Sequence, residues 1–137
     1  MNIIFLDFDG VVVTHRTQYL DLDPVCMTPL QRIVNTTRAS IVISSSWRAG
    51  RELQEFQTSL ERFGLGRSVI GMTPLTNGMS RGREIQLWLQ QHPEVDSFVI
   101  LDDDADMDNL IDRLVQTEIE TGLTEQDADR AIELLTA

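Results

Sequence analysis

The sequence contains no lysine, a single cysteine and no long apolar run, and each absence excludes a class of protein. All eleven basic residues are arginines, so chemistry through a lysine Schiff base is excluded. Cys26 has no partner in the chain for a disulfide, which favours a reducing compartment, and we expect a cytoplasmic protein. Because no apolar run approaches the ~20 residues of a membrane span and no signal-peptide pattern opens the sequence, we expect no membrane partner.

Length and composition are those of a globular protein. The chain has 137 residues, of which 42% are hydrophobic and 24% charged, and it shows no repeat, low-complexity tract or linker. A chain of this length buries enough surface to fold without a disulfide or a structural metal. We therefore predict a single domain over residues 1–137, and the oligomeric state stays open.

Charge is unevenly distributed along the chain. The net charge is −11, but residues 94–137 hold 14 acidic side chains against two arginines, whereas residues 1–93 hold eight acidic and nine basic side chains. The acidic balance argues against general binding to a nucleic-acid backbone. It leaves room for a local anion site in the first two thirds of the chain, whose nine arginines include Arg48, Arg51, Arg81 and Arg83.

Apolar runs alternate with segments of helical periodicity. Five runs are predicted to be strands: Ile3–Leu6, Ile41–Ile43, Ser68–Ile70, Phe98–Leu101 and, more weakly, Leu114–Gln116. Five helices are predicted from apolar residues that share a face: Leu30, Ile33 and Val34; Leu53, Phe56 and Leu60; Ile85, Trp88 and Leu89; Leu110, Ile111 and Leu114, in a short fourth; and Ala128, Ala131, Ile132 and Leu135. The alternation predicts an α/β fold, a Rossmann-like three-layer sandwich around a mostly parallel five-stranded sheet.

Polar residues follow the predicted strands where each strand ends. They are Asp7 and Asp9 after the first strand, Ser44, Ser45 and Ser46 after the second, and Asp102 and Asp103 after the fourth, while Arg81 opens a helix. Ligand sites in open α/β sheets lie beyond the carboxyl ends of the strands. We therefore expect these side chains to meet in one crevice.

The charges of this group predict what it binds. Four carboxylates would converge: Asp7, Asp9, Asp102 and Asp103. Like charges at short range raise one another's pKa values, and a hard divalent cation such as Mg²⁺ relieves the repulsion. Serine hydroxyls and an arginine at a helix start add an anion site beside the metal. A metal site next to an anion site indicates phosphoryl chemistry.

The order of these motifs resembles the haloacid dehalogenase (HAD) superfamily of phosphohydrolases. Its four motifs read here as IIFLDFDG, IVISSSW, SRGREI and FVILDDD. Several segments are similar to those of small HAD domains in Swiss Army Knife RNA repair proteins and their stand-alone relatives: SSSWR, VIGMTP, RGREIQLWL, ILDDDADM and TGLT. The resemblance extends from Ile3 to about Leu135. It implies a Mg²⁺-dependent phosphomonoesterase that works through an aspartyl-phosphate.

The same resemblance implies roles for the acidic residues. Asp7 would be the nucleophile, and Asp9 the general acid and base. The Asp7 carboxylate, the Asp9 backbone carbonyl and Asp103 would hold Mg²⁺, with Asp102 in direct or water-mediated support.

For the phosphate, the resemblance implies that Ser44 binds the transferring phosphoryl group, with Ser45 as an alternative. Arg81 would neutralise charge on the phosphoryl group and on the nucleophile, in the place where the family usually has lysine. Arginine is bulkier than lysine and favours bidentate contacts, so this is a departure from the family pattern. Arg83 is a rival for the same role, and Arg81 is preferred because Ser-Arg-Gly mirrors the family's Ser-Lys-Gly.

No cap domain is expected. HAD enzymes that act on small metabolites usually carry a cap after the first motif or before the third, and here Gly10–Thr28 and Ile70–Arg81 leave room only for loops or hairpins. By resemblance, an open site indicates a macromolecular substrate. A phosphorylated polynucleotide end is one candidate, and nucleotides, sugar phosphates and phosphoproteins stay open.

An alternative function follows from the missing lysine: a catalytically weak HAD-fold module that binds a phosphorylated ligand or partner. Plainer interpretations also apply to several polar residues. At least one serine of the triplet is expected to be only an N-cap for a helix near Trp47. Asp106 and Asp108 are expected to support the loop of the fourth motif.

Neighbouring basic and aromatic residues are expected to be structural. Arg48 and Arg51 should lie on a solvated face, the functional alternative being a platform for a polyanionic substrate. Trp47 and Trp88 should pack in the core or at its rim rather than stack on bases.

Overall fold

Strands and helices alternate along the whole chain. The computed structural model describes all residues from Met1 to Ala137. The strands are β1 (Asn2–Leu6), β2 (Ser40–Ile43), β3 (Val69–Met72), β4 (Ser97–Asp102) and β5 (Leu114–Gln116). The helices are α1 (Pro24–Thr37), α2 (Leu53–Glu61), α3 (Arg81–Gln90) and α4 (Glu125–Thr136). Short 3₁₀ segments lie in the connections, at His15–Thr17, Ser46–Arg48, Gly66–Ser68 and Asp108–Arg113.

All five strands pair in parallel, in the order β3-β2-β1-β4-β5. In the central strand β1, Leu6 is level with Ile43 of β2 and with Leu101 of β4. The hydrogen-bond ladder continues one residue further, because the N–H of Asp7 donates to Leu101 and the N–H of Ser44 donates to Leu6, both at 3.0 Å. Three neighbouring strands therefore end along one line.

Helices cover both faces of this sheet. In β1, Ile4 and Leu6 belong to a cluster of 26 buried residues that includes side chains of α1, α2 and α4. Ile3 and Phe5 point the other way, into a cluster of seven buried residues that includes side chains of α3. Covering of both faces accounts for the uninterrupted apolar run from Ile3 to Leu6 in β1. The Rossmann-like three-layer α/β sandwich predicted from the sequence is confirmed.

Local chemistry sets where two of the helices begin. At α1, the Asp23 side chain accepts a hydrogen bond from the N–H of Val25 at 2.9 Å, and Pro24 takes the first helical position. At α4, Thr124 and Asp127 form the reciprocal capping box expected from the sequence. These two starts fix α1 and α4, which pack against each other on one face of the sheet.

One predicted helix is wrong. Leu110, Ile111 and Leu114 do not share the buried face of an α-helix: Asp108–Arg113 is a 3₁₀ segment, Ile111 is exposed and Leu114 begins β5. A helical crossover between parallel strands needs about a dozen residues or more. Only residues 103–113 connect β4 to β5, and the first of them belong to the acidic loop, so a full helix has no room.

The two connections in which a cap domain could lie are loops. Residues 7–23 join β1 to α1 with one 3₁₀ turn, and residues 73–80 join β3 to α3 without regular structure. The expected absence of an inserted domain at these positions agrees with the fold. None of the helices has the length and hydropathy that crossing a membrane requires.

Ile4→Ala should lower the free energy of unfolding by about 2–5 kcal/mol, since Ile4 is fully buried in the larger cluster and its truncation leaves a cavity. Urea denaturation followed by circular dichroism measures this difference. Ile70→Ala is the matched control, because Ile70 lies on the edge strand β3 and is 41% exposed. Its cost should stay below about 1 kcal/mol, and equal losses for the two variants would contradict the assigned core.

Candidate active site

Three polar residues lie side by side where the central strands end. Asp7 follows β1, Ser44 follows β2 and Asp102 is the last residue of β4. Since Leu6 is level with Ile43 and Leu101, the register brings these three residues together. Asp7 is 6% exposed, and Ser44 and Asp102 are fully buried. The structure therefore brings these three of the predicted residues together at the carboxyl edge of the sheet.

A tight loop after Asp7 brings the other acidic residues close. Gly10 has φ of +81°, a conformation that side chains disfavour, and a Cβ there would lie 2.6 Å from Oδ2 of Asp103. The Thr117 hydroxyl, after β5, donates to the Gly10 carbonyl at 2.6 Å. Glycine at this position is thus required both by the turn and by the approach of Asp103.

Three carboxylates are close enough to share one cation. Asp7, Asp102 and Asp103 each offer an oxygen atom, and these atoms lie within 4.8 Å of one another. An all-oxygen, carboxylate-rich set suits a hard divalent ion. The Asp9 carboxylate is not part of this group, so any contribution of Asp9 to a metal would come from its backbone carbonyl, as the resemblance implies.

Arg81 is the cation that the structure places at these carboxylates. Its Nη1 lies 3.0 Å from Oδ1 of Asp7 and 2.8 Å from Oδ2 of Asp102. Arg81 opens α3, whose N-cap is Ser80, and Gly82 allows this end of the helix to touch the backbone of Met107, since a Cβ there would lie 2.4 Å away.

The rival arginine lies elsewhere. Arg83 donates to the side chain of Gln86 at 3.3 Å and has no ion pair with the acidic group. Asp106 and Asp108, expected to support the loop of the fourth motif, connect that loop to the start of α3: Asp106 accepts from the N–H of Arg81 at 3.4 Å, and Asp108 from the Ser80 hydroxyl at 2.6 Å.

Burial and mutual repulsion change the ionisation of the acidic residues. Burial, with the charge of Asp102 acting in the same direction, raises the pKa of Asp7 to about 8, and Arg81 offsets only part of this. Burial also raises the pKa of Asp102, again against the effect of Arg81. For Arg81, burial alone would lower the pKa, but the two carboxylates raise it. The metal-free pair therefore retains a proton near neutral pH.

The serine triplet divides into different environments. The Oγ of Ser44 is buried and has no hydrogen-bond partner in the protein. The Oγ of Ser45 accepts from the N–H of Trp47 at 3.2 Å, so this serine is the expected N-cap. Ser46 is exposed. Because buried polar groups are rarely left unpaired, Ser44 is the serine free to meet a ligand.

The prediction that Arg48 is solvated is wrong. Arg48 is buried, and its guanidinium donates to Oε1 of Glu84 at 3.0 Å, to the Ser45 carbonyl at 2.5 Å and to the Thr73 carbonyl at 2.8 Å. Glu84 lies on α3 and also accepts from the N–H of Thr76 at 2.8 Å. This pair ties the loop after β2 to α3. Sequence reasoning missed it because nothing in the local pattern links residues 36 positions apart.

Arg51 is exposed, as predicted, and Trp47 is partly buried at the rim. The Trp47 ring packs against the edge of Phe8, with centroids 5.3 Å apart, and the Arg51 guanidinium lies 5.0 Å from its centroid. The indole Nε1 of Trp47 also donates to Oδ2 of Asp9 at 3.2 Å. This polar contact was not foreseen, and the position of Trp47 next to the serines was the only signal for it.

The model of one protein family matches most of the chain. That family is described as the HAD domain in Swiss Army Knife RNA repair proteins, and its model matches residues 3–128. The matched region includes every residue of the site described above. No curated protein matches the chain.

Asp7→Asn should remove a pH-dependent loss of stability from the metal-free protein. The pKa of Asp7 is raised from 3.8 to about 8 in the folded state, so the folded state favours the neutral carboxyl. The corresponding stability is complete below about pH 4 and is lost as the pH rises towards about 8, whereas an amide does not ionise. In EDTA, the melting temperature of the wild type should fall relative to that of Asp7→Asn as the pH rises from about 4 to about 8, and the difference should stay constant at higher pH.

Asp104→Asn is the matched control for this titration, because Asp104 is an exposed neighbour that lies outside the group of three carboxylates. Its melting curves should follow those of the wild type at each pH. Parallel curves for Asp7→Asn and the wild type would contradict the raised pKa.

Glu84→Ala should lower the free energy of unfolding by about 3–5 kcal/mol, because it leaves the buried Arg48 guanidinium without its carboxylate. Urea denaturation measures the loss. Glu133→Ala is the control, since Glu133 is exposed and lies 3.9 Å from Arg130, and exposed pairs contribute about 0–1 kcal/mol. A loss for Glu84→Ala as small as that of the control would mean that the pair is not buried.

Proposed function

Since the chain belongs to the family of HAD domains found in Swiss Army Knife RNA repair proteins, we propose that it is a Mg²⁺-dependent phosphomonoesterase. The observation that supports this most is the arrangement around Asp7. A buried carboxylate, a cationic guanidinium and an unpartnered buried hydroxyl lie together at one strand edge. These are the groups that a covalent phosphoryl transfer needs: a nucleophile, a charge to stabilise the phosphoryl oxygens and a hydrogen-bond donor.

The metal site proposed here consists of the carboxylates of Asp7, Asp102 and Asp103, with the backbone carbonyl of Asp9. The three carboxylates fit a hard cation because their oxygens already lie within 4.8 Å of one another. Bound Mg²⁺ would neutralise charge on the phosphoryl group and on the nucleophile. Because a ligating carboxylate is deprotonated, metal binding would also release the proton that the Asp7–Asp102 pair retains.

The reaction proceeds in two steps in this proposal. A carboxylate oxygen of Asp7 attacks phosphorus and forms an aspartyl-phosphate, while the bond from phosphorus to the leaving oxygen breaks and Asp9 gives that oxygen a proton. Water then attacks the same phosphorus and gives a proton to Asp9. Inorganic phosphate leaves, and the Asp7 carboxylate is regenerated.

Ser44 and Arg81 bind the transferring phosphoryl group. The Ser44 hydroxyl has no partner in the protein, so it can donate to a phosphoryl oxygen without breaking another contact. Arg81 already contacts Asp7, and its remaining N–H groups can bind a second oxygen. Ser45 is a weaker candidate, since its Oγ caps the turn at Trp47.

A second function is favoured by one observation, the double contact of Arg81. Its Nη1 pairs with both Asp7 and Asp102. An arginine held between these carboxylates restrains the nucleophile more than a lysine would, because its guanidinium is planar and always charged. Such a site could bind a phosphorylated ligand or partner and turn it over slowly.

The substrate class proposed is an exposed phosphate on a large molecule, with a phosphorylated polynucleotide end as the first candidate. The connections 7–23 and 73–80 leave the site without a cap, so a bulky substrate is not sterically excluded. The family description refers to RNA repair proteins. Both points favour a nucleic-acid end over a small sugar phosphate.

Hydrolysis of an aryl phosphate by the purified protein, with Mg²⁺ and with EDTA, tests the proposal. We expect turnover that requires the metal and falls to background in Asp7→Asn, since an amide is a poor nucleophile. Asp104→Asn is the matched control and should retain most of the activity, because Asp104 is exposed and outside the carboxylate group.

Three outcomes separate the two functions. Turnover that survives Asp7→Asn would refute the covalent mechanism. Absence of turnover, combined with a rise in melting temperature on adding Mg²⁺ and beryllium fluoride, would favour the binding module. Absence of both effects would refute the phosphate site itself.

A further inference from the structure

Asp9 has a single side-chain hydrogen bond, and it comes from a tryptophan. The indole Nε1 of Trp47 lies 3.2 Å from Oδ2 of Asp9, across 38 residues of sequence. The other carboxyl oxygen, Oδ1, is buried and has no hydrogen-bond partner in the protein. Trp47 is therefore the only side chain that orients the Asp9 carboxyl through a hydrogen bond.

The chemistry of the indole makes this contact directional. An indole N–H donates one hydrogen bond and accepts none. Oδ2 is therefore the accepting oxygen as long as the contact persists, and Oδ1 is the oxygen left to exchange a hydrogen bond with something outside the protein. Burying a carboxyl oxygen without a hydrogen-bond donor costs free energy. An atom that receives its hydrogen-bond partner only in the substrate complex is expected to be in this state.

Trp47 is itself held in place by contacts with three residues. Its ring packs on the edge of Phe8, the residue between the two aspartates of the first motif. Its backbone N–H donates to Ser45, and its carbonyl accepts from Nη1 of Arg51 at 2.9 Å. The Arg51 guanidinium also lies over the ring, 5.0 Å from the centroid. A donor restrained from both sides can hold the carboxyl in one orientation.

We propose that Trp47 is a positioning residue for Asp9, which keeps Oδ1 of that carboxyl directed at the oxygen of the leaving group. This role rests on the phosphatase activity proposed above. Trp47 does not touch the phosphoryl group. It acts by holding Asp9 in the geometry in which a proton passes to the leaving oxygen as the bond from phosphorus breaks, and misplacement of a catalytic group by about 1 Å is enough to cost a large part of its effect.

The test compares two phosphate monoesters, an aryl phosphate with a good leaving group and an alkyl phosphate with a poor one. Only the poor leaving group depends on a well-placed acid. In Trp47→Phe, which keeps an aromatic ring but removes the indole N–H, kcat/KM for the alkyl ester should fall about tenfold to a hundredfold, part of the 10²–10⁴-fold typical of general acid catalysis. For the aryl ester it should fall less than about threefold.

The ratio kcat/KM is the informative quantity, because it covers the steps up to departure of the leaving group. A loss of Asp9 alignment in the later hydrolysis of the aspartyl-phosphate would lower kcat for both esters alike. A merely structural effect of Trp47→Phe would lower kcat/KM for both esters by the same factor. That result would overturn the positioning role.

Trp88→Phe is the matched control, since it makes the same chemical change in the only other tryptophan. Trp88 packs on Phe5 and stacks on His92, on the opposite face of the sheet from Phe8. The ratio of the two kcat/KM values should be the same in Trp88→Phe as in the wild type. Melting temperatures of both variants verify that each one is folded.

A second measurement tests the hydrogen bond without any turnover. With two tryptophans, the ¹H–¹⁵N spectrum holds two indole signals, and Trp47→Phe assigns them. Asp9→Ala should shift the Trp47 indole signal and speed its hydrogen exchange, while the Trp88 signal stays in place. An unchanged Trp47 signal would overturn the contact.

The two proposals fail in different ways. If the wild type hydrolyses neither ester, the phosphatase activity is refuted, and the catalytic role of Trp47 with it. If the wild type is active and Trp47→Phe loses the same factor on both esters, the activity stands and only the role of Trp47 is refuted.

Discussion

The level ending of three parallel strands is the constraint on which the site depends. Leu6 pairs with Ile43 and with Leu101, and one further backbone hydrogen bond on each side of β1 brings Asp7 against Ser44 and Asp102. A shift of one residue in either pairing would turn these side chains to the wrong face of the sheet, because side chains alternate along a strand. Backbone hydrogen bonding thus determines that Asp7, Ser44 and Asp102 lie next to one another.

That arrangement places like charges close together in a buried site, and their repulsion influences what the site can bind. Two buried carboxylates lie against each other, and burial raises the pKa values of both. Arg81 relieves part of the repulsion, and a divalent cation on the group that includes Asp103 would relieve the rest. Buried carboxylates with raised pKa values favour a ligand that brings positive charge, which is the basis of the metal site proposed above.

Two contacts around the site connect its loops and helices to one another. The buried pair of Arg48 and Glu84 connects the loop after β2 to α3, which also carries Arg81. On the other side, Trp47 connects the same loop to Asp9. The loop after β2 is therefore held both to α3, which carries Arg81, and to Asp9 of the first motif. The groups proposed to bind phosphate and to transfer the proton thus share these supporting contacts.

Sequence by itself determined the elements and the motifs, since apolar periodicity and strand-end residues are local properties: five strands, the α/β class and the acidic residues at the sheet edge could all be predicted. The short α-helix predicted around Leu110 is absent from the structure. The space available between β4 and β5 depends on how the strands pair, which the local pattern does not show. Tertiary structure alone decided that Arg48 is buried, that Ser44 rather than Ser45 is unpartnered, and that Trp47 binds Asp9. Each of these depends on contacts between distant segments, which no local pattern of residues encodes.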